Sequence, residues 1–456
     1  MCSIHMSKIL YTCQIVCLLF LVGGLSCSAF QCPVDVGSIA RELLARFSAP
    51  DDSLRYRAAE YLLEGLPYQW HYDVKKLDET GIKVKVMDVE VLDAEYLAEN
   101  IEYAFRAWEL PWARDLSFKD FCRYLLPYKM GNEAPERWRA AVWNEFSWVL
   151  EQADRTTDAT AVCRWIDDYV NSWYTVNLDY NYPADAGYLK AKEIRQGTCQ
   201  GASLMVMYPL RALGVAATYD YVPQWGNRSG RHNWNALYDH GYLRTFNGPD
   251  RNPGEHKVEF IGVGRMYFRR PKIYRKEYLN AGSVDVTSEY LPSVDVSVPM
   301  RGARNGDVHL AVFDNSNWRS VCEGRRCGNR AVFDAMAREI VYLPIIVENE
   351  KGRPFGLPFV VGKDGRVHTF RAGLHRRSVS LTSKYPEDES NRIFPGERYE
   401  LFCWRGYWRS LGEQEASDTV LVYDNVPAGA LLWLRNLDKG VQERIFVYED
   451  GKQIWY

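Results

Sequence analysis

Apolar and polar positions along the chain fall into three textures. From Val36 to about Asp185, "IARELLARF", "YRAAEYLLEGL" and "WRAAVWNEFSWVLEQA" repeat their apolar residues near the 3.6 period, with Pro, Gly and Asp between them. This pattern predicts an all-α region. From about Phe260 onward short β-rich runs take over, among them "VDVSV", "HLAVF", "REIVYLPIIV", "TVLVYD" and "ERIFVYE", spaced by turn residues as in a sandwich.

The β-rich half repeats itself. "SVDVTSEY" at Ser283 returns as "SVSLTSKY" at Ser378, "WRS" at Trp318 returns at Trp408, "FD" at Phe333 returns as "YD" at Tyr423, and "DG" at Asp364 returns at Asp450. Two copies of a unit of roughly 85 residues explain this order, each large enough for its own sandwich core. Trp318 and Trp408 are expected in equivalent core positions of two separately folding sandwiches. "WRGYW" alternates, which puts Trp404, Gly406 and Trp408 on one strand face, in a core or on a sugar-binding surface.

Between these textures, "ASLMVMYPLRAL" reads as a buried helix closed by Gly214, with Pro209 expected to bend it. "VAATYDYV", "HNWNALYD" and "YLRTFN" read as strands, the last two joined by a tight turn at Asp239, His240 and Gly241. The fold class is therefore α+β: a helical region over 30–185, a middle domain over 186–280, and sandwich repeats over 281–375 and 376–456.

Lys8, the apolar run "IVCLLFLVGGL" and the small residues Ser26 to Ala29 have the layout of an export signal over residues 1–29. Cleavage after Ala29 and a lipidated Cys27 both fit, and an uncleaved anchor is the bland alternative. The expected location is the periplasm or outer cell surface, with membrane attachment through an N-terminal lipid only. A composition of 47% hydrophobic and 25% charged residues is globular, and a net charge of −3 offers no bulk field to recruit nucleic acid. Cys122, Cys163, Cys199, Cys322, Cys327 and Cys403 are too few and scattered for a disulfide scaffold, although Cys322 and Cys327 could close a small loop.

Cys199 stands apart. A cysteine in the first turn of a helix has its thiolate stabilised by free backbone N–H groups, which can also bind the oxyanion formed when an amide carbonyl is attacked. His232 in "GRHNWNALYD" is the candidate base. A two-residue turn puts Asn247 on the same face as His232, directly opposite or one diagonal step away, whereas a three-residue loop favours Asp250 as the third member. Cys122 and Cys163 lack such context and read as packing. His256, His309, His368 and His375 read as solvated or satisfied. No phosphate-binding glycine loop or zinc motif appears, so neither cofactor nor metal is implied.

"GTCQGASLMVMYPLRALGVAA" resembles the nucleophile helix of the bacterial exported type of the transglutaminase-like superfamily, and "RHNWNALYD" resembles its His/aromatic motif, with Trp234 two residues after His232. Counting 247 − 232 = 15 gives the offset at which that family carries an acidic residue; here it is Asn247. The resemblance covers about Tyr188 to Phe260. It implies a papain/transglutaminase-like middle domain with Cys199 as nucleophile, His232 as acid/base and Asn247 as orienter, with Trp234 and Gln200 in support. It further implies a thioester route on a peptide, protein or glycopeptide amide, ending in hydrolysis or in transfer to an amine. The alternative is a cell-surface protein that binds glycan or protein on this scaffold without catalysis. The basic and aromatic stretch "RMYFRRPKIYRKEY", Arg265 to Tyr278, reads foremost as a link between domains, with an anionic glycan or lipid surface as its functional alternative.

Overall fold

The computed structural model describes residues 36–77, 83–152, 155–177, 179–180, 182–239, 241–249, 251–254, 267–279, 282–300, 306–382, 393–440 and 444–456. The export signal with Cys27, as well as His240, Asp250 and His256, lies outside the described residues.

The leader is built from helices α1 (Gly37–Arg46), α2 (Ser53–Gly65), α3 (Ala94–Trp108), α4 (Trp138–Glu145) and α5 (Ala159–Asn171). It is not all-α. Strands β1 (Trp70–Leu77) and β2 (Lys83–Met87) form an antiparallel hairpin between α2 and α3. "WHYDVKKL" and "KVKVM" alternate as strands do, but an expectation set by the flanking helical periods overrode that signal. β3 (Thr175–Val176) then pairs in parallel with β4 (Gln196–Gly197), between which lies α6 (Tyr188–Ile194).

Helix α7 (Cys199–Ala212) is buried almost throughout and packs against β5 (Ala217–Val222) and β6 (His232–Asp239). It runs unbroken through Pro209. β7 (Tyr242–Phe246) pairs with β6, and Asp239 opposite Tyr242 leaves a two-residue turn. β8 (Tyr274–Lys276) and β9 (Ser283–Asp285) complete a sheet ordered β7-β6-β5-β8-β9. Leader and middle segment share one core, in which Leu43, Leu62, Ile101 and Leu125 join Met205, Leu210, Leu237 and Phe246. The boundary expected at 185/186 therefore runs through the interior of a single unit.

Ser283 belongs to β9 of this middle sheet, so the first sandwich begins at β10 (Ser293–Pro299) rather than at residue 281. It continues with β11 (Asp307–Phe313), β12 (Trp318–Glu323), β13 (Arg325–Cys327), β14 (Arg330–Ala337), β15 (Val341–Glu348), β16 (Lys351–Pro354), β17 (Phe359–Val361) and β18 (Val367–Thr369). The second contains β19 (Arg376–Leu381), β20 (Arg398–Trp404), β21 (Trp408–Glu415), β22 (Leu421–Pro427), β23 (Leu432–Asn436), β24 (Ile445–Glu449) and β25 (Lys452–Trp455).

Their topologies correspond. β10 pairs with β14 as β19 pairs with β22, and the order β12-β11-β15-β17-β18 matches β21-β20-β23-β24-β25. The irregularities correspond as well. A register shift falls between Val294 and Val296 in one copy and between Arg377 and Val379 in the other; another falls at Leu310/Ala311 and at Leu401/Phe402. Bulges are specific features of a strand pair, and here they fall at corresponding places in the two sandwiches. Val296 faces Phe333 as Val379 faces Tyr423, so the equivalent of Ser378 is Asp295, not Ser283.

Each sandwich has an inner apolar core, and a third core joins the two. Alternation along the central strands explains it. Leu310 and Val312 point inward while Ala311 and Phe313 point to the joint; Leu401 and Cys403 point inward while Phe402 and Trp404 point to the joint. Runs such as "VYLPIIV" and "IFVY" are continuously apolar because both of their faces are covered. Trp318 and Trp408 occupy equivalent places, as expected, but at this joint, their rings 6.4 Å apart and nearly parallel. Trp404 and Trp408 pair across a hairpin whose turn holds Gly406 in a left-handed conformation, which corrects the reading of "WRGYW" as one strand. The link between copies is also tied down, with Arg371 N–H donating to Gly429 O and Gly373 N–H to Ala428 O. The two sandwiches thus pack against each other through a shared apolar joint. Cys322 is buried beside Met336 and Cys327 is exposed on β13, each a free thiol.

Candidate active site

The approach to Cys199 is fixed on both sides. Arg195 turns through a left-handed conformation (φ 58°), the parallel β3–β4 bridge aligns Gln196 and Gly197, and α7 starts at Cys199 itself. Glycine is required at 197, because a Cβ there would collide with the Tyr174 hydroxyl; at 201 a Cβ would stand 2.9 Å from the same oxygen. Thr198 occupies the N-cap position without a side-chain hydrogen bond, so no side-chain cap competes for the first N–H groups of the helix. Cys199 is half-buried.

One turn on, the helix is pinned to β6. Ser203 Oγ donates to Asn233 O (3.1 Å), and Asn235 Nδ2 donates to Ser203 O (3.0 Å) and Thr218 O (3.2 Å). Asn233 Nδ2 donates to the Tyr219 hydroxyl (3.0 Å), which burial, and secondarily the Asp185 and Cys199 charges, push well above the usual phenol range. Tyr219 therefore remains a neutral phenol beside the thiol. Arg211, near the helix end, donates to the carbonyls of Tyr124, Pro127 and Lys129, which ties the back of the helix to the leader.

Strand alternation then decides where the base sits. Asn233 and Asn235 face α7, so His232 and Trp234 lie on the other face of β6. The His232 ring stacks on Trp225 (6.0 Å, 21°) and on Trp234 (6.1 Å, 20°), and the fully buried Trp234 meets Tyr290 edge-on. In the β6–β7 register Asn235 faces Phe246, a sum of 481, so Asn247 falls opposite Trp234 and one diagonal step from His232. β7 ends at Phe246, however, and Asn247 exchanges backbone hydrogen bonds with Arg251 (3.1 and 2.9 Å). Gln200 donates to Asp185 (2.8 Å), whose other oxygen accepts from the Asn132 N–H (2.9 Å).

Gly197, Thr198, Gln200 and Gly201, on either side of Cys199 but not Cys199 itself, line a cavity of about 290 Å³, with Tyr72 of the leader hairpin, Tyr174, Tyr182, Asp185 and Arg231 among the other lining residues. Tyr72, Tyr174, Asp185 and Arg231 are the residues that sequence reasoning missed. Only the glycines flanking Cys199 hinted that something approaches the backbone there. Elsewhere in the chain burial raises Cys122 and Cys322 to about 12 and Cys163 well above its ordinary value.

No protein-family model matches this chain, and neither does any curated protein. Among solved structures it is similar to one described as a "putative cysteine protease" from Cytophaga hutchinsonii, at 16% identity and a TM-score of 0.24 over 31% of this chain. The chain spans about 45% of the length of that protein. It is also similar to red sea bream transglutaminase, at 13% identity and a TM-score of 0.24, over 85% of this chain and 76% of that one. At such values these are distant likenesses, and neither assigns this chain a family.

Proposed function

We propose that this chain is an exported, cysteine-dependent amide-bond hydrolase or acyltransferase of transglutaminase-like type, acting on a peptide, protein or glycopeptide. The observation that carries the reading is Cys199, half-buried at the first position of α7, whose chain neighbours Thr198 and Gln200 line the adjacent cavity. In the proposed reaction the Cys199 thiolate forms a sulfur–carbon bond to the amide carbonyl, and backbone N–H groups at the helix start hold the oxyanion. The carbon–nitrogen bond breaks as the His232 imidazolium gives its proton to the leaving amine or ammonia. Water, or a second amine, then attacks the thioester and returns the thiol. His232 must turn from its Trp225/Trp234 stack toward Cys199 for this sequence, with Asn247, or Asp250 in its place, orienting the ring.

Cys327 is an exposed reference thiol in the same chain. Iodoacetamide at pH 6 should alkylate Cys199 faster than Cys327, and His232→Ala should remove the difference. Equal rates in the native protein would end the enzymatic reading.

The placement of His232 in an aromatic stack, away from the α7 face of its strand, favours a second reading: a cell-surface binding protein that keeps the scaffold without turnover. Under it, Cys199→Ala leaves binding on a glycan and peptide array unchanged, whereas the enzyme loses turnover in the same variant. The export signal, with Cys27 as its lipid site, belongs to both readings and is tested by labelling intact cells from outside.

A further inference from the structure

The basic and aromatic stretch that precedes β8 takes no part in the thiol site. Its residues Phe268, Arg269 and Arg270 line a cavity of about 480 Å³ between the N-terminal unit and the first sandwich, facing Arg338, Glu339 and Lys363. Apart from Arg270, which has a partner of its own, Arg269, Arg338 and Lys363 thus meet a single carboxylate among the described lining residues. Further along the same stretch, Lys272 pairs with Asp285 and Arg275 pairs with Asp220 (2.8 Å), so those charges are spent on structure. At the cavity, Glu339 lies 3.6 Å from Lys363, largely in solvent, a contact worth little, and its charge also acts on Arg269.

The walls are held in place. Asn227 accepts from the Arg269 N–H (2.9 Å) and donates to Tyr267 O (2.7 Å). Arg338 donates to Lys363 O (2.8 Å), which sets the two cations side by side. Glu339 has φ 61°, a left-handed conformation that a non-glycine residue adopts at a cost, and its N–H is locked to Val361 O (2.6 Å). Burial lowers the pKa of Arg269, so its charge sits where an incoming anion would relieve it.

We infer that this cavity binds a sugar bearing a phosphate or sulfate ester. Planar guanidinium groups match the oxygens of such an ester in pairs. Phe268 and the buried Ile340 supply apolar surface against which a sugar ring can lie. The volume suits one or two rings, within the span of small-ligand pockets.

Isothermal titration of the full chain at low salt decides the matter, with glucose, glucose 6-phosphate, a sulfated heparin disaccharide and a single-stranded DNA 20-mer as probes. At least one charged sugar should bind and glucose should not. A sugar phosphate that binds alone points to a free metabolite; a sulfated disaccharide that binds at least tenfold tighter points to a polymer. Arg338→Gln and Lys363→Gln should each weaken binding roughly tenfold, while Glu339→Gln should strengthen it several-fold, a gain that misfolding cannot mimic. The inference is overturned if neither charged sugar binds, if all three variants match the wild type, or if the DNA binds more tightly than both sugars.

Discussion

In the N-terminal unit, charge is buried as scaffold. Asp88 is fully enclosed, where it accepts from His71 (2.8 Å), the Tyr128 hydroxyl (2.7 Å) and Lys129 Nζ (2.8 Å), and Arg139 and Arg211 satisfy backbone carbonyls in the same interior. The sandwich pair reaches a similar degree of enclosure with apolar faces. In its joint Phe313 lies edge-on to Trp408 and Trp433, and the fully buried Arg444 donates to Phe313 O (2.6 Å), Tyr456 O (2.7 Å) and Gly226 O (3.2 Å). A charge network requires every partner in place, whereas an apolar face tolerates duplication and drift. The difference suits the two parts: the unit that holds Cys199 is singular, and the copied half differs between copies in loop length while keeping its bulges.

The comparison breaks first at Asp88. Asp88→Ala leaves Lys129 buried without its carboxylate and should cost about 4 kcal/mol, read from the urea midpoint. The pH dependence carries the same signature. Burial alone would raise the Asp88 pKa, but the hydrogen bond from His71 and the charge of Lys129 outweigh it and hold the carboxyl below its ordinary range. Its contribution is therefore complete above about pH 4 and drains as pH falls through the lower folded value. Acid should loosen the N-terminal unit before the sandwiches, and tryptic cutting at pH-jumped intervals should show leader fragments first.

Phe313→Ala probes the other half and should cost about 3 kcal/mol from the cavity left in the joint. Its distinguishing effect is on cutting: the variant should release a C-terminal fragment by cleavage near residues 371–378, where the wild type resists. Trp318→Ala and Trp408→Ala, half-buried and equivalent, should each cost about 2 kcal/mol. Unequal costs would show that the copies have diverged at the joint.

How far this was legible in the sequence follows the same division. Strand alternation and the repeated "WRS", "FD" and "DG" signals carried the sandwich pair, because period-2 patterns report faces directly. They could not report that both faces were covered, so Trp318 was assigned to an inner core when it lies at the joint. The start of α7 at Cys199 and a tight turn after Asp239 were readable from local chemistry, but the length of that turn, two residues or three, was not. The β1–β2 hairpin was hidden because its apolar positions sit between two strongly helical stretches. The direction of His232 was hidden for a different reason: it depends on which face of β6 meets the helix, and Asn233 and Asn235, polar residues that bind backbone there, do not look like a core face in sequence.

The smallest effect separates two helix starts. Asp158 caps α5 with its side chain, accepting from the Thr160 N–H at 2.8 Å, so Asp158→Ala should cost about 1 kcal/mol. Thr198 holds the equivalent position before α7 but makes no side-chain hydrogen bond, so Thr198→Ala should change stability by less than about 0.5 kcal/mol. The pair, measured by thermal denaturation, tests whether the N–H groups at the Cys199 end are left without an internal cap. A cost at Thr198 equal to that at Asp158 would mean that its hydroxyl caps the helix in solution. Those donors would then be partly spent, and the thiol would sit beside a weaker anion site than the one proposed.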